Sequence, residues 1–236
     1  MKKPLRSIGI IMDGNRRFAK KNLKLTEIGH YQGIKKAKEF LEWAKDAGIK
    51  CVTAYVLSLE NIKNRSKTEV NKLLQFFEKE LDDILKDDHR IHETETRVNF
   101  IGRLEILPSK IQEKIEKVKE KTKNHSKYFF NIAIAYGGQQ EIVDACKTIA
   151  SKVKEGVMEV KDINEEEFSR NLYLSEEQYP DLIIRTGDVK RISNFLLWSS
   201  AYSELAFTEK LWPDLQKEDF MELINQYDGS TRRFGK

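Results

Sequence analysis

The chain has 236 residues, of which 39% are hydrophobic and 34% charged, and its formal net charge at pH 7 is only +4. This length and hydrophobic content suit one large globular domain, so we expect a single domain over residues 1–236 rather than a disordered chain. The near balance of charge predicts no nucleic-acid partner, and no apolar run reaches the roughly 20 residues of a transmembrane segment. Only two cysteines occur, both in apolar stretches, which excludes a disulfide framework and indicates a cytoplasmic protein, at most peripheral to a membrane.

Apolar runs alternate with segments of helical period along the chain. The predicted strands, in order, are residues 8–12, 51–57, 98–101, 128–135, 182–184 and 205–207. The predicted helices are residues 31–47, 68–86, 108–123, 140–154 and 217–227. Several strands are continuously apolar and β-branched, as strands buried on both faces are. The pattern predicts an α/β fold with a central, mostly parallel sheet of about six strands flanked by helices.

Glycines and charged side chains follow the predicted strand ends, where open parallel sheets bind their ligands. The segments concerned are residues 12–17, 58–61, 136–138 and 185–188. Four arginines lie at or just after these ends, namely Arg17, Arg65, Arg185 and Arg191. Guanidinium groups suit phosphate oxygens, so the sequence predicts a polyanionic ligand with more than one phosphate. Asp13 and Glu204 would oppose phosphates unless a hard cation such as Mg²⁺ lies between them.

The same residues also have structural explanations. Asp13, Gly14 and Asn15 are ordinary turn residues, and Arg185 could be one member of an ion pair. His30 follows Gly29 at the predicted start of a helix, which suits a capping role. Four aspartates, Asp82, Asp83, Asp87 and Asp88, lie beside lysines and indicate a solvated helix face rather than a metal cluster. His89 and His92 have no carboxylate motif to support a metal site.

Taken together, several blocks closely resemble the signature segments of the cis-prenyltransferases. The blocks are residues 10–20 with Gly29-His30, 58–61 with Asn64-Arg65, 131–138, 181–187 with 191–198, and 201–205 with Trp212-Pro213. They occur in the family's order and spacing, and the resemblance runs from residue 8 to residue 235. Within the family, the chain resembles the bacterial undecaprenyl diphosphate synthases most.

The resemblance implies a Mg²⁺-dependent enzyme that condenses isopentenyl diphosphate in cis onto an allylic diphosphate, usually farnesyl diphosphate. The product would be a long polyprenyl diphosphate, as in the undecaprenyl carrier of bacterial cell-wall peptidoglycan precursors, delivered to the membrane surface. Asp13 and Asn61 would be catalytic, and Asp13 and Glu204 would bind the metal. The allylic diphosphate would contact Gly14, Asn15, Arg16, Arg17, Phe18, His30 and Arg65, and isopentenyl diphosphate would contact Arg185, Arg191 and Ser193. A homodimer is implied, as is a hydrophobic product tunnel lined by helix 68–86 and strand 51–57.

The chain departs from the family pattern at a few positions. Arg16 and Phe18 stand where the family usually has Gly and Trp, and Thr26 stands where it commonly has Arg. Arg16 is therefore a candidate replacement for that arginine. Lys63 resembles a one-residue insertion before Arg65, and residues 232–235 resemble the R-x-G ending near the family's dimer interface.

Two alternative functions remain open in the sequence. One is a non-catalytic partner subunit of a cis-prenyltransferase. The other is a phosphate-binding module without chemistry. The first loses support because Asp13-Gly14-Asn15 and the phosphate arginines are all present. The second does not explain why carboxylates accompany the arginines.

Overall fold

The six strands form one parallel sheet in the order β3-β4-β2-β1-β5-β6. A computed structural model describes residues 4–23 and 25–229 of the chain. The strands are β1 (Ser7–Ile11), β2 (Cys51–Ser58), β3 (Thr96–Ile101), β4 (Tyr128–Tyr136), β5 (Leu182–Arg185) and β6 (Glu204–Phe207). The predicted α/β fold and all six predicted strands are confirmed, with ends that differ by at most two residues.

The helices cover both faces of this sheet. They are α1 (Asn15–Lys21), α2 (Thr26–Asp46), α3 (Leu59–Asn64), α4 (Lys67–Ile84), α5 (Arg90–Glu93), α6 (Ser109–Thr122), α7 (Gly138–Lys154), α8 (Glu165–Ser169) and α9 (Lys217–Gly229). The five predicted helices correspond to α2, α4, α6, α7 and α9. The sequence did not reveal α1, α3, α5 and α8, because helices of four to seven residues are too short to show a period.

The sheet is buried on both faces, since β1 alternates its side chains between two apolar clusters. Ile8 and Ile10 pack with Phe40 of α2 and Phe220 of α9. Ile11 packs on the other side in a cluster that includes Tyr136, Phe195 and Leu196. A third cluster joins α4 and α6 to β3 and β4. The central strands are thereby fixed, and their carboxyl ends present the turns that follow them at one edge.

The sequence also leads to expectations about membrane-spanning segments and about the two cysteines. Among the described residues, no helix is both long enough and apolar enough to cross a bilayer. Cys51 is buried in β2, whereas Cys146 is exposed on α7 despite its apolar sequence neighbours. Burial raises the pKa of the Cys51 thiol to about 11, and hydrogen bonds oppose that shift. The two cysteines lie on separate elements and are both free thiols.

Candidate active site

The turn after β1 places Asp13 at the carboxyl edge of the sheet. Gly14 has φ +119°, and a Cβ there would lie 2.9 Å from the Cα of Leu211. The Trp212 N–H donates to the Asp13 carbonyl at 3.0 Å, which holds the turn against the segment after β6. A side chain at position 14 would therefore be strained and would clash with backbone. This glycine is the N-cap of α1 and lets the helix begin at Asn15, two residues after Asp13.

Asp13 is joined to the end of β5 by a buried arginine. Arg185 is only 5% exposed, and its Nη2 donates to Asp13 Oδ2 at 2.8 Å. Its Nη1 donates at 2.6 Å to both Ser193 Oγ and the Arg191 carbonyl. Arg17 Nη2 lies 3.2 Å from the other carboxylate oxygen of Asp13. Arg185 is thus an ion-pair partner, as the structural explanation predicted, and it also organises the segment that carries Ser193.

The Tyr136-Gly137-Gly138 block holds that same segment from its other side. The Gly138 N–H donates to the Asn194 carbonyl at 2.7 Å, and the Gln139 N–H donates to Asn194 Oδ1 at 2.8 Å. A Cβ at Gly138 would lie 2.7 Å from Leu197 Cγ, so the close approach requires glycine. The block therefore fixes the position of Ser193 and Asn194 and need not itself touch a ligand.

Glu69 of α4 gathers two arginines and a histidine that the sequence associated with phosphate. Its Oε1 lies 3.1 Å from His30 Nε2, 3.1 Å from Arg65 Nη1 and 3.9 Å from Arg16 Nε. Sequence reasoning gave Glu69 no role, although its position four residues after Arg65 on the chain is the spacing of a helical ion pair. His30 is inside α2 and buried, so the prediction that it caps a helix start is wrong.

The protonation state of His30 leads to a prediction about ligand binding. Burial lowers the pKa of His30, and its hydrogen bond to Glu69 only partly opposes that shift. The imidazole is then neutral near pH 7, whereas a bound diphosphate would favour the charged form. Binding should take up a proton, so affinity for inorganic diphosphate should rise as pH falls from about 7.5 to about 6. Titration calorimetry in buffers of different ionisation enthalpy measures this uptake.

His30→Asn provides the control, because diphosphate itself also titrates in this range. The variant should show less proton uptake than the natural chain at every pH. Equal uptake in the two proteins would contradict the assignment of the proton to His30.

A polar cavity of about 670 Å³ lies over these groups. It is lined by Met12, Asp13, Gly14, Asn15, Arg16, Arg17, Lys20, Thr26, His30 and Arg65. All but one of the residues predicted to hold the allylic diphosphate are therefore together. Arg16 lies at the same cavity as Thr26, as a replacement for the family arginine must. Lys20 also lines it, although the sequence gave this lysine no function.

A second cavity, of about 740 Å³, extends between the sheet, α2 and α4, and we call it the large cavity. It shares Asp13, Asn15, His30 and Arg65 with the polar cavity. Its polar end includes Asn61, Arg185, Arg191 and Ser193. Its remaining walls are mostly apolar and include Ile34, Ala37, Leu41, Leu57, Leu73, Leu74, Phe77, Leu81, Ile84, Ile132 and Ile134. The predicted hydrophobic tunnel lined by α4 and β2 is thus present as a cavity.

Tunnel wall and packed core should respond differently to truncation. Ile115 of α6 is buried in the third apolar cluster, whereas the half-buried Leu74 borders the large cavity. Ile115→Ala should lower the free energy of unfolding by about 2–5 kcal/mol, and Leu74→Ala by less than about 1.5 kcal/mol, because Leu74 already faces empty space on one side. Urea titration of both variants measures the difference. Equal losses would mean that α4 packs as tightly as α6 at this position.

Two predicted site residues are not brought to either cavity. Phe18 lines neither of them, so its predicted contact with the allylic diphosphate is not supported by the geometry. Glu204 opens β6 and pairs with Leu182, while Arg185 at the other end of β5 pairs with Phe207. Glu204 is therefore set back by three residues, about 10 Å, from the edge where Asp13 lies. The structure therefore does not bring Asp13 and Glu204 of one chain together, and their predicted pairing on a metal stays a prediction.

The other candidate groups agree with their structural explanations. Asp82, Asp83 and Asp87 form ion pairs with lysines of neighbouring helices or turns. His92 Nε2 lies 2.9 Å from the Ile84 carbonyl. Within the described residues, no group of three or more His, Cys, Asp or Glu side chains is arranged to hold a metal ion. The R-x-G ending at residues 232–235 lies outside the described residues.

The fold and the site define an α/β protein in which an anion-binding strand edge adjoins a hydrocarbon-lined cavity. Residues 11–235 match the profile of the family described as "Putative undecaprenyl diphosphate synthase". The tritrans,polycis-undecaprenyl-diphosphate synthase (geranylgeranyl-diphosphate specific) of Methanocaldococcus jannaschii is 50% identical over 231 residues, 97% of this chain and 82% of that relative. A protein of the same name from Pyrococcus furiosus is 45% identical over 229 residues, 97% of this chain and 86% of that relative.

Solved structures agree with this comparison. Lavandulyl diphosphate synthase from Lavandula x intermedia, crystallised with dimethylallyl diphosphate, is 33% identical with a TM-score of 0.91 over 98% of both chains. A "probable undecaprenyl diphosphate synthase" from Campylobacter jejuni is 33% identical with a TM-score of 0.80 over 100% of both chains. The chain belongs to the cis-prenyltransferase family of undecaprenyl diphosphate synthases. It is accordingly a transferase that condenses isopentenyl diphosphate onto an allylic diphosphate.

Proposed function

We propose that the polar cavity binds the diphosphate of the allylic substrate while the large cavity takes its hydrocarbon. The observation that carries this assignment is the junction of the two cavities at Asp13, His30 and Arg65. Isopentenyl diphosphate binds next to it, on Arg185, Arg191 and Ser193. In the reaction the C–O bond of the allylic substrate breaks and its C1 bonds to the terminal alkene carbon, C4, of isopentenyl diphosphate. The cation left at C3 is quenched when C2 loses a proton to the released diphosphate or to solvent, which forms the new double bond. The two diphosphates are thus held on opposite sides of Asp13.

The cationic side chains act on the charge that develops during bond cleavage. As the C–O bond breaks, the leaving diphosphate gains negative charge, and guanidinium groups already in place stabilise it more than they stabilise the substrate. Arg17, Arg65 and His30 all line the polar cavity, which supports this role for them. Asn61 lines the large cavity near its polar end, where the reacting carbons would lie. Holding both substrates in one orientation adds a gain from proximity.

We also propose Mg²⁺ as the cofactor. Magnesium is usually held by one or two carboxylates together with substrate phosphates, and Asp13 presents one such carboxylate to the polar cavity. Asp13 would hold the ion against the diphosphate, since Glu204 of the same chain lies too far back along the sheet. When bound, the ion would neutralise charge on the leaving group.

The starter is proposed to be geranylgeranyl diphosphate and the product a long polycis-prenyl diphosphate. The names of the archaeal relatives support this choice over farnesyl diphosphate, which the resemblance to bacterial members implies. An undecaprenyl product is consistent with both, whereas the role in bacterial cell-wall synthesis stays a prediction. A homodimer is supported by the edge strand β6, where Leu205 is exposed.

One experiment tests the substrate proposal. Purified protein receives labelled isopentenyl diphosphate with equal amounts of farnesyl and geranylgeranyl diphosphates, in Mg²⁺ or in EDTA, and the products are sized by chromatography. We expect Mg²⁺-dependent products with at least about tenfold preference for the longer starter, since added apolar contact raises affinity in an apolar cavity. Preference for farnesyl diphosphate would contradict the starter alone. Binding without product would favour the phosphate-binding alternative, and activity that requires a second, different chain would favour the partner-subunit alternative.

A further inference from the structure

An exposed apolar patch adjoins the active-site cavities on the outer side of α2 and α4. We call it the α1–α2 patch, and it consists of the exposed Leu23, Leu25, Ile28 and Tyr31 together with the half-buried Phe76. Leu23 is 98% exposed and Leu25 is 69% exposed. The rings of Tyr31 and Phe76 pack with their centroids 6.2 Å apart, which continues the patch from α2 onto α4. Single exposed apolar side chains are common, but a contiguous group indicates a contact surface.

Lysines surround this patch. Lys35 Nζ lies 4.8 Å from the Tyr31 ring centroid, and Lys72 Nζ lies 5.4 Å from that of Phe76. Lys20 and Lys21 occupy the last turn of α1 beside Leu23. In the part of the chain that the structure describes, none of these four lysines lies within ion-pair distance of a carboxylate, unlike Lys36 and Lys38 nearby. An apolar centre with a basic rim is the pattern of a surface that enters the headgroup region of anionic lipids.

The patch also adjoins the contact between α2 and α4, two helices that contribute side chains to the lining of the large cavity. At this seam, side chains of α2 and α4 meet through the contacts of His30 with Glu69, of Tyr31 with Phe76, and of Lys38 Nζ with Glu80 Oε2 at 2.8 Å. Behind this seam lie the apolar side chains that line the cavity.

We propose that the α1–α2 patch docks the enzyme on an anionic lipid bilayer. This inference rests on the proposed function, because a long polyprenyl diphosphate partitions into a bilayer rather than into water. Leu23 and Leu25 insert at the boundary between headgroups and acyl chains, while the lysines contact anionic headgroups. The seam between α2 and α4 then faces the membrane, so that product can pass from the cavity into lipid without crossing water.

Vesicle co-sedimentation of the full chain without substrates tests this proposal. The probes are phosphatidylcholine vesicles with and without phosphatidylglycerol, at low and high salt. The double variant Leu23→Asn/Leu25→Ser removes the exposed leucines without straining the backbone. Leu23 has φ 51°, a conformation that Asn favours, and Leu25 is the N-cap of α2, a position that Ser favours. Val157→Asn/Val160→Ser is the matched control, since both valines are exposed and line neither cavity.

We expect the natural chain and the control to bind the anionic vesicles in a salt-sensitive manner, and the double variant to bind at least about tenfold more weakly. Equal binding by the double variant, equal binding to neutral vesicles, or no binding by the natural chain would overturn the proposal. A change of oligomeric state in the double variant with unchanged vesicle binding would identify a second copy of the chain as the occupant, and would overturn it too. An assay of prenyl transfer in detergent separates the docking proposal from the proposed function. A chain that is active but does not bind vesicles contradicts the docking surface only. A chain that binds vesicles but is inactive contradicts the proposed function.

Discussion

Asp13→Asn is expected to lower kcat by about a thousandfold while leaving the fold intact, the scale seen when a single transition-state contact is lost. The amide preserves the size of the side chain but cannot bind Mg²⁺ as a carboxylate does. It also removes the negative charge that pairs with Arg185 at 2.8 Å and with Arg17 at 3.2 Å. Single-turnover assays with saturating substrates measure the effect on the chemical step.

The same substitution should also affect stability, but only modestly. Arg185 is buried and would lose its charged partner, which is costly in a fully desolvated pair. Asp13 itself is about one-third exposed, so solvent screens much of that cost. Thermal unfolding with circular dichroism should therefore show a folded variant with a slightly lower Tm. This separates loss of chemistry from loss of structure.

Asp188→Asn provides a matched control for Asp13→Asn. Asp188 lies three residues after Arg185, which ends β5. It is exposed and lines neither cavity. Its φ is 55°, a conformation that Asn adopts readily, so the amide introduces no strain. Turnover should remain near that of the natural chain. If Asp13→Asn retained comparable turnover, the placement of Asp13 at the centre of the reaction would be wrong.

The strands could be predicted from sequence because their burial on both faces leaves a distinct apolar signal. The first turn of α2 could not, since its N-cap is Leu25, whose side chain makes no capping hydrogen bond. The sequence therefore predicts His30 at the start of a helix, although it lies a full turn inside α2. Capping side chains were present at α3 and α4, where Ser58 and Ser66 accept N–H bonds. The α4 start was predicted within one residue.

Some site residues could likewise be predicted from the sequence, and others could not. Asp13, Arg17, Arg65 and Arg185 converge because each follows a strand end or the short helix after it, and parallel strands end at one edge. Glu204 has the opposite geometry, since it begins a strand, and the register of a four-residue strand cannot be read from its sequence. Its resemblance to a metal ligand carried no information about which edge of this chain's sheet it occupies.

The cavity was the other feature that periodicity could not reveal. An apolar stripe on a helix has the same spacing whether it faces packed side chains or an open tunnel. In α4, Leu81 is buried in an apolar cluster and also borders the cavity. Only the three-dimensional arrangement of α2, α4 and the sheet separates the two environments. The truncation of Leu74 against that of Ile115 measures this distinction.

Trp212→Ala is expected to lower the free energy of unfolding by about 3–5 kcal/mol, the range for a large buried aromatic side chain. Trp212 is fully buried, and its ring packs edge-on against Phe40 with centroids 5.5 Å apart. Its Nε1 donates to the Gly33 carbonyl at 2.8 Å, which ties the segment after β6 to α2. Truncation would leave a cavity and remove the bond from Nε1, although the Gly33 carbonyl lies inside α2 and keeps its intrahelical donor. Urea unfolding at a fixed temperature measures the loss.

Trp212→Phe separates packing from the hydrogen bond. The smaller ring keeps most of the apolar contact but loses the bond from Nε1 to the Gly33 carbonyl, at a cost of about 0.5–1.5 kcal/mol, because that carbonyl keeps its helical donor. Turnover should follow the same order at a temperature where both variants stay folded, because Trp212 borders the large cavity and its backbone N–H holds the Asp13 turn. Both substitutions keep the backbone N–H of residue 212. Its position relative to Asp13 then depends on how well the new side chain fills the space beside Phe40. Full activity in folded Trp212→Ala would show that the backbone contact alone positions Asp13, and that the buried ring stabilises the fold without shaping the site.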